Sequence, residues 1–158
     1  MKIDKADLST SSASGGAPGK FGEVSVTELF HLVGEVSWLM GHTSGRKYVF
    51  LADLEWLVVP PLRLRQAKLY RNDNGSPLAF VSWAFVSDEV DARLREGATK
   101  LRPDEWQSGP HLWVIELIAP VQDVEKVMET LRKTVFAGQA VSVMSMGGKR
   151  FEPSTYNN

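Results

Sequence analysis

Glu116 is a carboxylate inside an apolar run of the sequence that extends from Leu112 to Ala119. An ionised carboxylate is rarely buried without a partner, because removal from water disfavours its charge. Such an acid is therefore either a strand-edge residue that faces solvent or a group that serves proton transfer or substrate contact. A histidine would complement it in acid–base chemistry near neutral pH.

The chain has three histidines, His31, His42 and His111. His111 precedes Glu116 by an odd number of residues, which along a regular strand predicts opposite faces of the sheet and makes His111 a poor partner. His42 lies at the end of a predicted helix. Its role there is to interact with the helix dipole, to be a solvated side chain, or to act as a chemical partner of Glu116. His31, Glu35 and His42 share one polar helix face, but their spacing matches no ligand set, so no metal site is predicted.

The composition of the 158 residues fits one globular domain, with 43% hydrophobic residues and a formal net charge of -1. The absence of cysteine excludes disulfides, thiolate metal ligands and a cysteine nucleophile. The nearly neutral charge does not favour nucleic acid as a partner. No apolar run is long enough to span a bilayer, and the polar N-terminus lacks the apolar stretch of a signal peptide. We therefore expect no membrane span and a cytoplasmic location.

Hydrophobic periodicity and turn residues predict helices and strands along the chain. Ser25-Val-Thr-Glu28 has the form of a capping box before an amphipathic helix that ends near Gly41. The predicted order is helix, helix, strand, strand, helix, strand, helix, strand, which favours an α/β (α+β) fold with a mixed, mostly antiparallel sheet flanked by helices. The second helix is expected over 47–59, stopped by Pro60-Pro61; the strands over 64–71, 78–86, 111–119 and 140–146; and the later helices over 89–96 and 121–138.

The chain is expected to consist of three segments. Residues 1–22 are polar and rich in serine, glycine and alanine, which predicts a disordered N-terminal tail. Residues 23–147 form a single domain. Residues 148–158 are polar and are expected to form a flexible C-terminal tail.

Four blocks of the sequence carry a family likeness. They are Gly34-Glu-Val-Ser-Trp-Leu39, Pro77-Leu-Ala-Phe-Val-Ser-Trp-Ala84, the loop from Leu101 to Gly109, and Trp113 to Pro120 with its final Ile-Ala-Pro. In this order and spacing they resemble the RTX toxin-activating lysine acyltransferases, the hemolysin-activating protein family. The resemblance implies a fold similar to the N-acetyltransferase (GNAT-like) domain, and residues 23–147 would be the acyltransferase-like domain.

The resemblance also implies a reaction. Family members move a fatty acyl group from acyl-carrier protein to the side-chain amine of lysines in a protoxin-like protein, act in the cytoplasm and tend to form homodimers. No cofactor is implied besides acyl-carrier protein as the acyl donor. CoA-dependent GNAT enzymes carry a glycine-rich phosphate-binding loop, whereas the six residues after Pro120, Val-Gln-Asp-Val-Glu-Lys, include two acids and no glycine, which agrees with a carrier-protein donor.

The family's catalytic residues can be carried over to this chain by position. Its aspartate corresponds to Glu116, and its histidine corresponds, without a gap, to Arg46. Arginine keeps its proton at ordinary pH and cannot act as a base. His42 lies one helical turn before Arg46 if the first helix continues, so we predict His42 and Glu116 as the catalytic pair. The predicted substrate-binding residues of this stretch are Thr43, Ser44 and Arg46.

Two further groups of residues are candidates for binding. Trp83 and Trp113 match family positions and are candidates for an acyl channel, although aromatic residues at strand spacing are more often core. A basic cluster is expected to dock the acidic carrier protein, and its other interpretation is one solvated strand face. The cluster consists of Arg63, Arg65, Lys68 and Arg71, followed by Arg46 with Lys47.

Three functions are compatible with the sequence. The leading one is a protein-lysine fatty acyltransferase that uses acyl-carrier protein as donor. The alternative is a diverged, catalytically impaired homologue that binds acyl-carrier protein or another protein without acyl transfer, and the replacement of the family histidine by Arg46 motivates it. A third is an acyltransferase for a different amine.

Overall fold

The computed structural model describes residues 24–144, which form five helices and four strands. The helices are α1 (Val26–Gly41), α2 (Leu54–Leu57), α3 (Val59–Arg63), α4 (Asp88–Arg95) and α5 (Val124–Thr134). The strands are β1 (Ala67–Arg71), β2 (Pro77–Val86), β3 (His111–Ile118) and β4 (Val141–Val143). The predicted tails, 1–22 and 148–158, and the last residues of the predicted final strand lie outside the described residues.

The strands form one mixed sheet in the order β1-β2-β3-β4. The β1–β2 and β2–β3 pairs are antiparallel, and the β3–β4 pair is parallel. The turn between β1 and β2 forms where it was predicted, because the Asn72 side chain accepts hydrogen bonds from the backbone of Asn74 and Ser76, and Gly75 adopts a φ of 79°. The predicted mixed, mostly antiparallel sheet with flanking helices is confirmed, and it agrees with a GNAT-like α+β fold.

Helix α1 also begins and ends where the sequence predicted. Ser25 caps it, since its hydroxyl accepts a hydrogen bond from the Glu28 amide at 3.1 Å. The helix ends at Gly41, and His42 is its C-cap. The residues of α1 that are buried in the core against the sheet are Leu29, Leu32, Val36, Leu39 and Met40.

The predicted second helix over 47–59 is wrong in its extent. The chain turns through 44–48, forms a 3-10 turn at Leu51–Asp53 and then two short helices, α2 and α3. Pro60 and Pro61 lie in the first turn of α3, where they do not end a helix. Proline fits this position because the first amides of a helix have no intrahelical partner. Arg46 and Lys47 therefore lie on a turn after α1.

A bulge at Ile115 interrupts the pairing of β2 with β3. Ser82 is opposite Glu116, but the next residue of β2, Trp83, is opposite Val114, so Ile115 has no cross-strand partner there. Residues directly opposite each other in an antiparallel pair share one face of the sheet. Glu116 and Ser82 therefore point to the same side, and the alternation along β3 changes at the bulge.

This bulge overturns the predicted placement of His111 on the face opposite Glu116. Val86 is opposite His111, and Ser82 is opposite Glu116. Val86 and Ser82 are four residues apart along β2, so their side chains point to the same face of the sheet. His111 and Glu116 consequently share a face, although their separation is odd. His111 has a partner elsewhere, because its Nε2 lies 2.6 Å from the Asp88 carboxylate.

The two faces of the sheet are covered by different helices. On one face, Phe80 and Ile118 belong to the core under α1, while Ala84 and Trp113 belong to the core under α4. The opposite face packs against α5, through a separate cluster of apolar side chains. The Ser82–Glu116 pair lies between the α1 and α4 cores, which places two polar residues at a junction inside the protein.

Candidate active site

Glu116 is bound by Arg46. The Glu116 side chain is 2% exposed, whereas that of Arg46 is 27% exposed. Arg46 Nε donates to Glu116 Oε1 at 3.0 Å, and Nη2 lies 2.8 Å from the same oxygen. The pair joins the turn after α1 to the middle of β3, and Arg46 is the member that reaches solvent.

Burial raises the pKa of the Glu116 carboxyl above its ordinary value, because desolvation disfavours the charged form. The charge and hydrogen bond of Arg46 and the backbone amide of Leu117 oppose this shift without cancelling it. A carboxylate whose pKa lies closer to neutrality is a better proton acceptor at physiological pH. A desolvated acid beside one cation is therefore a candidate for chemistry as well as for structure.

His42 lies in a different environment from the one predicted for a catalytic pair. Its Nδ1 is 2.7 Å from the backbone oxygen of Trp38, and its ring stacks on the Trp38 ring with centroids 4.1 Å apart. Among residues 24–144, the ion-pair partner of Glu116 is Arg46. A catalytic role for His42 stays a prediction.

The turn that carries Arg46 is built on Thr43. The Thr43 hydroxyl donates to the Leu39 carbonyl at 2.8 Å, and the Thr43 carbonyl accepts from the Arg46 amide at 2.9 Å. Ser44 is exposed on this turn. A cavity of about 110 Å³ adjoins Arg46, and its lining is mostly apolar. The apolar residues around it are Met40, Val49, Phe50, Leu51 and Leu54.

Ser82 is a buried residue of this site that the sequence did not single out. It is fully buried, and no residue in the described part of the chain forms a hydrogen bond with its Oγ. As the cross-strand neighbour of Glu116, its Cβ lies about 4.5–5.5 Å from that of the glutamate. No sequence signal would have found it, because its position opposite Glu116 depends on the bulge at Ile115.

Trp83 and Trp113 lie in the core on opposite faces of the sheet. Trp83 is 6% exposed and meets Phe136 edge-on, with centroids 5.4 Å apart, on the α5 side. Trp113 is 3% exposed, and its indole N–H donates to Asp91 of α4 at 2.8 Å. The two rings therefore do not line one acyl channel, and substrate contact by either stays a prediction.

The predicted basic cluster is dispersed. Arg63 is exposed at the end of α3, while Arg65 lies in the following turn, 4.0 Å from Glu28. Lys68 is only 8% exposed. Arg71 donates to Glu35 of α1 at 2.9 Å. These residues do not share one solvated strand face, because β1 begins only at Ala67; carrier-protein docking by Arg63, Arg65 and Lys68 stays a prediction.

The fold and the site together define a small α+β domain with a desolvated carboxylate at a strand bulge. The profile of the RTX toxin acyltransferase family matches residues 25–152. The lysine-acyltransferase RtxC of Vibrio cholerae serotype O1 is 32% identical over 130 residues, which cover 80% of this chain and 83% of the relative. The chain belongs to the RTX toxin acyltransferase family.

Two further relatives share a shorter part of the chain. The leukotoxin-activating lysine-acyltransferase LktC serotype A1 of Mannheimia haemolytica is 35% identical over 91 residues, covering 58% of this chain and 54% of the relative. The protein-lysine myristoyltransferase RtxC of Kingella kingae is 30% identical over 106 residues, covering 67% and 63%. The names of these relatives agree with the acyltransferase class of the family.

The structure brings together the two positions at which the resemblance places the family's histidine and carboxylate. Arg46 and Glu116 are in direct contact, so the alignment without a gap agrees with the geometry. Both members of the pair differ in type from the family pattern. No helix among residues 24–144 is long and apolar enough to cross a membrane.

Proposed function

We propose that this protein is a lysine acyltransferase that moves a fatty acyl group from acyl-carrier protein to a lysine side chain of a protoxin-like protein. The observation that carries the proposal is a buried carboxylate, Glu116, in direct contact with Arg46. By resemblance, Glu116 corresponds to the family's catalytic carboxylate. The family match over 25–152 supports the reaction class. The donor and the acceptor follow from the resemblance.

Glu116 is the proposed general base. Amide formation from a thioester requires that the attacking amine lose its proton, and arginine cannot accept one. The raised pKa of Glu116 suits a carboxylate to this task near neutral pH. Arg46, the exposed member of the pair, must move aside for an amine to reach Glu116.

Arg46 is proposed to act on the acyl donor through its permanent positive charge. Arg46 binds Glu116 and is also one of the residues that line the apolar cavity after α1. A cation at that place would stabilise the negative charge that develops on the thioester oxygen. The cavity, with Met40, Val49 and Leu54 in its lining, would receive the first part of the acyl chain.

The start of α5 supports a donor without a nucleotide. Helix N-termini bind phosphate through free amides and a favourable dipole, and added carboxylates oppose that binding. Here Asp123 precedes α5 and Glu125 lies in its first turn. A phosphopantetheine arm on a carrier protein delivers the thioester without the pyrophosphate of CoA, so these acids do not hinder it.

The alternative function is a binding protein for acyl-carrier protein that transfers nothing. One observation favours it: the buried ion pair leaves Glu116 occupied and replaces the family histidine by a group that cannot accept a proton. The two functions make different demands on Glu116. Transfer requires the carboxylate itself, whereas binding requires only an intact surface.

A transfer assay separates the two functions. Acyl-carrier protein with an isotope-labelled acyl chain is incubated with the protein and a lysine-bearing acceptor, such as a glycine-rich repeat protoxin. The acceptor is then analysed by peptide mass spectrometry. We expect label on lysine with the wild type and with Glu129→Gln, a control at an exposed carboxylate of α5. Binding of the carrier protein without any labelled lysine would reject the transferase and support the alternative.

A further inference from the structure

The Ser82 hydroxyl lacks a partner although it is buried next to a carboxyl group. Ser82 is 0% exposed and its Oγ has no hydrogen bond within residues 24–144. A buried hydroxyl without a partner is unfavourable, so it is rarely kept at a strand centre where alanine would pack as well. The register places Ser82 directly opposite Glu116, on the same face.

Glu116 and Ser82 form no hydrogen bond with each other in the structure. The carboxylate is held by Arg46, which has only donors to offer. If Glu116 takes up a proton, its new O–H needs an acceptor, and arginine has none. A serine hydroxyl has two lone pairs that accept a hydrogen bond. Ser82 is the cross-strand neighbour that can provide them.

We propose that Ser82 is a positioning residue whose hydroxyl oxygen accepts a hydrogen bond from Glu116 when the carboxyl group carries the proton taken from the substrate amine. This inference rests on the proposed role of Glu116 as general base. Ser82 and Arg46 then serve different protonation states of one side chain. Arg46 holds the carboxylate, and Ser82 holds the carboxylic acid.

The proton is conserved through this sequence. The lysine side chain first releases its ammonium proton to solvent. The neutral amine nitrogen then attacks the thioester carbon, a C–N bond forms, and Glu116 takes one proton from that nitrogen. While the tetrahedral intermediate lasts, the Glu116 O–H is directed at Ser82 Oγ. The C–S bond then breaks, and Glu116 returns the proton to the departing sulfur, which leaves as the phosphopantetheine thiol.

Other titratable groups near this face are already engaged. The β2 residues beside Ser82 on this face are Phe80 and Ala84, which carry no charge. His42 bonds to the Trp38 carbonyl. On the surrounding elements, Glu28 pairs with Arg65, Glu35 with Arg71, Asp91 with Arg95 and Arg93 with Glu105, and His111 Nε2 lies 2.6 Å from the Asp88 carboxylate. Arg46 is therefore the charge that faces Glu116 directly.

The test is an NMR titration of Glu116 itself. Protein labelled with carbon-13 at glutamate carboxyl groups is titrated, and the Glu116 resonance is assigned by its loss in Glu116→Gln. Removing an acceptor that favours the neutral form lowers a carboxyl pKa, so we expect Ser82→Ala to lower the Glu116 midpoint by roughly one pH unit. Ser82→Cys keeps the shape of the side chain but offers a weaker acceptor, and we expect its Glu116 midpoint to lie between those of wild type and Ser82→Ala.

The matched control is Ser142→Ala, which removes the hydroxyl of another buried serine in the sheet. Ser142 lies on β4, opposite Trp113 of β3. We expect it to leave the Glu116 midpoint unchanged. The titration needs no substrate, so absence of transfer by the wild type would reject the proposed function and leave the role of Ser82 to be decided by the midpoint. A Glu116 midpoint that is the same in wild type, Ser82→Ala and Ser82→Cys would overturn the inference.

Discussion

The Arg46–Glu116 pair determines how chemistry can proceed at this site. Removing two charges from water is costly, and their attraction offsets the cost only when the geometry is good. Here the cost falls unequally, because Glu116 is 2% exposed and Arg46 is 27% exposed. The carboxylate depends on the guanidinium, while the guanidinium can turn to solvent. Glu116 stays buried while the Arg46 side chain can move away from it, which is consistent with a base that becomes accessible when substrate binds.

This inequality predicts unequal costs of mutation. Arg46→Met leaves a buried carboxylate unpaired, and we expect it to lower the free energy of unfolding by about 3–5 kcal/mol near neutral pH. Glu116→Met frees an arginine that reaches water, so it should cost much less. The double variant should recover most of the loss. Urea denaturation of the four proteins checks the cycle, and equal costs for the two single variants would contradict the unequal roles.

The cost of Arg46→Met should also depend on pH. The folded-state pKa of Glu116 is raised, and losing Arg46 removes the interactions that lower it. Proton uptake is then favoured in the folded variant, so its stability relative to wild type falls as pH rises. We expect the difference in unfolding free energy to be larger at about pH 7 than at about pH 4.5. A pH-independent difference would show that Glu116 does not titrate in this range.

The same carboxyl should govern the pH dependence of transfer. A general base works only when ionised, so the rate should fall on the acid side with a midpoint above the ordinary glutamate value of 4.5. The pH profile of kcat/KM, measured with a labelled acyl donor, checks this. Glu116→Asp should keep an acid limb at a reduced rate. An acid limb that persists unchanged in Glu116→Gln would assign the titration to another group.

At the scale of elements, the bulge in β3 decides what meets Glu116. Ile115 is the extra residue, and it places Glu116 on the same face of the sheet as Ser82 and His111. Strand β3 pairs with β4 in parallel through residues 112–114, immediately before the bulge. The carboxylate thus lies where the strand changes its pairing, a common place for functional residues.

The loop before β3 is held against β2 by close backbone packing at Gly109. A Cβ there would lie 2.5 Å from Ser87 Cα and 2.6 Å from the Val86 carbonyl oxygen. We expect Gly109→Ala to lower the unfolding free energy by about 1–3 kcal/mol or more through this overlap. Gly34→Ala is the matched control, because nothing lies within 4 Å of its Cβ and alanine favours a helix by about 0.5–1 kcal/mol. Thermal denaturation checks both, and a neutral Gly109→Ala would contradict the packing.

Capping residues predicted where the helices begin, because they act on their neighbours in sequence. The arrangement of the site could not be predicted in this way, because it depends on contacts between segments that are distant in sequence. Ser25 and Ser87 cap α1 and α4 through their own neighbours in sequence. Pro60 misled because proline both ends helices and begins them, and the choice depends on tertiary packing. The Glu116 position followed from the resemblance, but its contact with Arg46 and the placement of Ser82 depend on how α1 and β3 meet.

At the scale of the whole molecule, two features support the proposed protein-borne donor. The acids at the start of α5 oppose pyrophosphate, and exposed apolar residues gather after α1, beside the turn that carries Arg46. These exposed side chains are Tyr48, Phe50 and Leu51. A carrier protein offers both acidic and apolar surface to such a region.

Donor preference is therefore a whole-molecule prediction. We expect acyl transfer from acyl-carrier protein to exceed that from acyl-CoA of the same chain length by at least about tenfold in kcat/KM, the effect of roughly 1.4 kcal/mol. Replacing Asp123 and Glu125 together with neutral residues should raise kcat/KM for acyl-CoA and so reduce the difference between the two donors. Parallel assays with the two donors check this, and equal use of both by the wild type would contradict a carrier-specific site.

The most direct measurement is the single-turnover rate of lysine acylation by wild type, Glu116→Gln and His42→Ala with one labelled carrier-protein donor. If Glu116 is the base, Glu116→Gln should be slower by about 10²- to 10⁴-fold, while His42→Ala should stay within about twofold of wild type. Circular dichroism checks that both variants are folded. Full activity of Glu116→Gln, or loss of activity in His42→Ala alone, would contradict a mechanism centred on the Arg46–Glu116 pair.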